Sequence, residues 1–79
     1  MKIPRDLSGA DLVKTLCRDW GYRKVHQEGS HIILETEQPS SQRIAVPNHS
    51  SLRVGALIAV LRVVAEHKGI PREQILQSL

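Results

Sequence analysis

The amino-acid sequence predicts an α+β fold in the order α-β-β-β-α, with a three-stranded antiparallel sheet and a short helix added at the end. Three observations carry this reading. An apolar stripe at helical spacing ends at Gly21. Short strand-like segments then follow, divided by Gly29-Ser30 and by Pro39-Ser40-Ser41. A long apolar stretch from about Arg53 to Lys68 closes at Gly69 and Pro71. A chain of 79 residues suffices for one domain, spanning 1–79, and is too short for two. At that size folding buries only about 60% of the surface the unfolded chain exposes.

The first helix is expected over about Gly9 to Asp19. Ser8 with Asp11 resembles a capping box in which an acid replaces the usual Glu. Leu12, Val13, Leu16, Cys17 and Trp20 then cover a sector of about 140°. Lys14 and Arg18 share one exposed edge. Tyr22 to Glu28 reads as the first strand, although Arg23, Lys24 and Gln27 spoil its alternation and leave its facing open.

Glu28-Gly29-Ser30 is a tight turn in which Gly29 can take positive φ, and His31 to Thr36 forms the second strand. Ile32 and Leu34 point one way, His31, Ile33 and Glu35 the other, so helices covering the first face leave His31 toward solvent. Gln42 to Val46 is the third strand, stopped by Pro47, which has no amide hydrogen to donate. Its Ile44 and Val46 face the helices, and Arg43 shares the face of His31. Pro47 to Ser51 is a polar loop.

In the long helix the apolar residues from Val54 to Ala65 wrap about 220°, more than one sheet face can cover. The last helix, Arg72 to Ser78, offers Ile75, Leu76 and Leu79 as a lid. Any apolar strip left bare suits a partner chain.

Composition narrows the function classes. Hydrophobic residues make up 41% of the chain but aromatics only 3%, so the core is aliphatic around Trp20 and Tyr22. Eleven Lys and Arg against eight Asp and Glu leave a charge of +3, which favours a polyanionic partner. The single cysteine cannot form an internal disulfide, and the cytoplasm is the expected compartment. Cys17 sits in the apolar stripe and reads as packing. No apolar run approaches the roughly 18 residues of a membrane span, and Met1 to Asp6 lacks the apolar core of a secretory signal.

The ordered residues resemble a known family. Ser8-Gly9 opens a helix, Gly21-Tyr22 follows, and Gly29-Ser30-His31 enters a strand. Val46-Pro47 comes with His49 shortly after, and Leu52-Arg53-Val54-Gly55 opens a helix running through Val60-Leu61-Arg62. Together these are similar to the HicA (YcfA-like) toxins over nearly the whole chain, especially members carrying Val64-Ala65-Glu66-His67 before Gly69-Ile70. The resemblance implies a fold like double-stranded-RNA-binding domains and cleavage of messenger RNA by the histidine of the Gly-Ser-His turn, here His31. It also implies silencing by a HicB-like antitoxin. In two places the chain departs from the family's habit: Ile32 stands where a second histidine often follows the first, and Pro71 where Ser often opens the last helix.

An imidazole, with an ordinary pKa of about 6.5, can accept or donate a proton near neutrality, and RNA supplies its own nucleophile in the 2′-hydroxyl. His31 is therefore the candidate catalytic residue. His49 is a candidate second acid or base, or a solvated loop residue; His26 reads as bland and His67 as capping or packing near its helix end. Arg43, Arg23 and Lys24, with the Gly29-Ser30 turn, are the candidate RNA contacts. Among the remaining cations Lys14, Arg18, Arg53 and Arg62 read as solvated. No Cys/His pair has zinc-ligand spacing and no carboxylates pair at metal spacing, so no cofactor is expected. The competing readings are a non-catalytic RNA-binding module of the same fold and a protein-interaction subunit using the wide apolar helix.

Overall fold

Helix α1 (Gly9–Asp19) starts where the capping pattern places it: Ser8, in extended backbone, accepts the Asp11 N–H on its hydroxyl at 3.0 Å. The structure, a computed structural model, describes residues 6–79. Residues 1–5, which belong to the segment read above as lacking a secretory signal's apolar core, lie outside the described residues. After α1 come β1 (Arg23–Glu28), β2 (His31–Thr36), β3 (Gln42–Pro47), α2 (Val54–Lys68) and α3 (Arg72–Leu76), in the expected order. The sheet is antiparallel in the order β1-β2-β3, which makes β2 central and leaves β1 and β3 as edges.

Both long helices cover one sheet face. Leu12 and Leu16 of α1, Leu57, Leu61 and Val64 of α2, and Ile75 of α3 share a core cluster with Ile32, Leu34, Ile44 and Val46 of the strands. The opposite parity of the strands faces away from that cluster. There Ile33 is only 8% exposed without joining the core cluster, because its cross-strand partners His26 and Ala45 flank it. Among the described residues no helix lies on this side, the open face of the sheet.

Some boundaries differ from expectation for local reasons. Tyr22 precedes β1: its N–H still closes α1 by returning to Leu16 O at 3.3 Å, and its ring is buried in the core. Burial also pushes the Tyr22 hydroxyl pKa up to about 12. Arg53 caps α2 from extended backbone and does not join its first turn. α3 stops at Leu76, because Ser78 and Leu79 return their N–H groups to Ile75 O and Leu76 O in tight turns. The Ser78 hydroxyl meanwhile accepts the Trp20 indole N–H at 3.1 Å.

The poor alternation of β1 has a structural cause. Its register shifts between Lys24 and His26, so Val25 is extra and unpaired, as at a β-bulge. All six residues of this edge strand are exposed. The wide apolar sector of α2 is only partly covered: Leu57, Leu61, Val64 and Ala65 are buried, while Val54 and Val63 remain 53% and 42% exposed. The far end of α2 is tied to the β2–β3 loop. His67 Nε2 donates to Ser40 O at 2.8 Å, which is the packing role expected of it, and Lys68 Nζ donates to Thr36 Oγ1 and Gln38 O.

Candidate active site

The site is built at one end of the sheet by two tight connections. A two-residue loop, Gly29-Ser30, joins Glu28 to His31, with Gly29 at φ 55°, a conformation that glycine adopts without strain. His31 is thereby the first residue of the central strand, exposed, with Glu28 opposite it on β1 and Pro47 opposite it on β3. Asn48 N–H donates to Ser30 O at 2.6 Å, which fastens the loop carrying His49 to the turn preceding His31.

A second tether comes from α1. Gly9 N–H donates to His49 O at 2.9 Å, and a Cβ on Gly9 would lie 1.9 Å from Pro47 O. Only glycine allows the helix start to approach the β3–α2 loop this closely. The backbone around Ser30, Pro47, Asn48 and His49 is therefore held from both sides, while the imidazole of His49 is exposed and makes no hydrogen bond among the described residues.

The candidate cations lie elsewhere. Arg23, Glu35 and Arg43 form one row across the open face, about 13 Å along β2 from His31 at roughly 3.3 Å per residue. Arg43 shares the parity of His31, as its strand position implies. Both arginines engage Glu35: Arg43 Nε donates to it at 2.9 Å and Arg23 Nη2 at 3.2 Å. The Arg43 guanidinium, ahead of that of Arg23, holds the Glu35 carboxyl below its ordinary range. Lys24 pairs in register with Leu34, so it belongs to the opposite parity at the exposed sheet edge. Thus Gly29, Ser30, His31 and the backbone of His49 are brought together, Arg23 and Arg43 form a separate charged row, and Lys24 stands apart.

Two residues beside His31 carried little signal in the sequence. Glu28 is its direct cross-strand neighbour, and His26 lies on the same face one step diagonally away. His26 Nε2 donates to Glu28 Oε1 at 3.1 Å. The Glu28 position and the facing of His26 both follow from counting back from a two-residue hairpin; the Val25 bulge, for which the sequence has no clear mark, sets the facing of Arg23. Among the described residues no group of three or more His, Cys, Asp or Glu is arranged to hold a metal ion. Burial pushes the Cys17 thiol up, in keeping with its place beside the core.

An α-β-β-β-α chain with a turn-borne histidine on an open sheet face falls, by comparison with family models, among the toxins of bacterial toxin–antitoxin systems. The matching model is described as the HicA toxin of bacterial toxin–antitoxin systems and covers residues 9–65. The chain belongs to the HicA toxin family, and membership implies an antitoxin partner. No curated protein and no solved structure matches the chain. Among the described residues no helix is long and apolar enough to cross a membrane.

Proposed function

We propose that this HicA-family chain acts as one unit over residues 1–79, an endoribonuclease that cleaves messenger RNA without a metal ion and uses His31 as its base. The observation that carries the reading is the position of His31: exposed at the head of the central strand, on the face that no described helix covers, next to a turn tethered by a backbone hydrogen bond from Asn48. RNA lies across the open face. The Gly29-Ser30 turn lets its backbone come close, and Arg43 and Arg23, with Lys24 at the edge, meet phosphates. His31 takes the proton of a ribose 2′-hydroxyl, and that oxygen attacks the adjacent phosphorus in line. The P–O5′ bond breaks, and the products are a 2′,3′-cyclic phosphate and a 5′-hydroxyl. A HicB-like antitoxin silences the toxin by covering the His31 face, since masking a small exposed site is simpler than distorting a packed core.

The test is expression of wild type beside His31→Ala in a bacterial host, followed by assays on the purified proteins. Wild type should arrest growth and cut RNA in the presence of EDTA. His31→Ala should do neither, while its melting temperature stays within a few degrees, since exposed substitutions usually change stability by only about 0.5 kcal/mol. Fragments ending in a 5′-phosphate, or scission at a 2′-deoxy site, would sink the role given to His31.

A further inference from the structure

The two-residue hairpin fixes which way His26 faces, and the Val25 bulge brings Arg23 onto the same face. Arg23 pairs with Glu35 and Lys24 with Leu34. The extra residue shifts the register between Lys24 and His26, and His26 pairs with Ile33 on the open face. From there to the hairpin the pairing is regular, and Glu28 comes opposite His31. His26 is therefore the diagonal neighbour of His31, with Cα atoms about 7–8 Å apart.

At that separation two imidazoles can reach the two sides of a single phosphodiester, which is the arrangement an in-line displacement needs. Glu28 supplies the orientation. Its carboxylate only accepts hydrogen bonds, so it holds the Nε2 proton of His26 at 3.1 Å and leaves Nδ1 for a second partner. Both side chains are open to solvent and substrate, at 42% and 72% exposure. His49 lacks such a setting: its carbonyl is committed to Gly9, and its imidazole makes no hydrogen bond to any described residue.

We propose that His26 is the general acid of the cleavage reaction and that Glu28 positions it, so that the base and acid are carried by adjacent strands of one sheet face. The inference rests on the nuclease reading given above. In the step itself, His31 accepts the 2′-hydroxyl proton as the 2′-oxygen bonds to phosphorus. The P–O5′ bond breaks with its electron pair leaving on O5′, and the His26 imidazolium gives its Nδ1 proton to that oxygen. His31 ends protonated and His26 neutral; exchange with water resets both.

A leaving group that needs no proton tests this directly. The wild type and the His26→Ala, His26→Gln, His49→Ala and His31→Ala variants are assayed on a short RNA and on the same RNA with sulfur replacing the 5′-bridging oxygen at the cut. Both His26 variants should cleave ordinary RNA about a hundredfold or more slowly. On the sulfur substrate they should approach the wild-type rate. His26→Gln keeps a donor for Glu28 and so separates lost proton transfer from lost folding. His31→Ala should stay slow on both substrates, and His49→Ala should keep the wild-type ratio between the two rates. A His26 defect that is equal on the two substrates, or absent, overturns the assignment, and rescue confined to His49→Ala moves the acid to the loop. A wild type that cuts neither substrate fails the nuclease reading itself, a result distinct from these.

Discussion

Glu35 lies on the open face between two arginines, Arg43 and Arg23. Its carboxyl is held below the ordinary 4.5, first by the Arg43 hydrogen bond. A carboxylate depressed in the folded state adds stability above its unfolded pKa and loses it as the pH falls through the folded one. Acid unfolding of the wild type should therefore steepen below about pH 4.5, and Glu35→Gln should flatten that limb. Overlapping acid-denaturation curves for the two proteins would show that the pair contributes nothing to stability, as happens for many exposed ion pairs. His31 and Arg43 were legible as neighbours in parity because β2 and β3 alternate cleanly. The pairing of Arg43 with Glu35 depends on which residue of one strand meets which of the next. Single-strand patterns do not contain that information.

Among the elements, α1, β2 and α2 were readable almost to the residue: each has a start or stop with a direct physical meaning, Ser8 at α1, the Gly29-Ser30 loop before β2 and Gly69 after α2. β1 was not, because an exposed edge strand with a bulge has neither burial nor unbroken alternation to display. α3 is shorter than its composition suggested because its last residues are spent on turns and on the Trp20 contact. The junction of α1 with the end of β3 was invisible in the sequence, since a glycine at a helix start ordinarily reads as neutral. Here a Cβ would lie 1.9 Å from the backbone oxygen of Pro47. Gly9→Ala should destabilise the fold by about 1–3 kcal/mol, the usual cost of forcing atoms into a packed contact. It should also loosen the loop that carries His49. Denaturant unfolding at wild-type stability would mean that the helix start shifts without cost.

Taken whole, the molecule divides its work between two sides. Helices and core occupy one sheet face, and the other bears two histidines, two glutamates and two arginines at aligned strand positions. The net charge of +3 is too small to hold RNA without local arrangement. If the open face is the RNA surface, Arg43→Ala in a His31→Ala background should weaken binding more than Arg62→Ala, because Arg62 lines a shallow pocket between α2 and α3. Titrations at several salt concentrations should give a log-log slope of about 0.7 per phosphate contacted on single strands, lowered by the Arg43 change alone. Equal losses for the two variants would place the binding surface elsewhere.

The odd residue in β1 makes chain length itself a chemical variable. Exchanging Val25 for another side chain leaves the count between Arg23 and His26 intact, and with it the guanidinium of Arg23 on the same face as the imidazole. Removing Gln27 instead would place His26 opposite Ile32 and turn it toward the helices, although every atom of His31, Glu28 and the hairpin turn stayed in place. For this face, reading frame along the strand matters more than the identity of the residue that sets it.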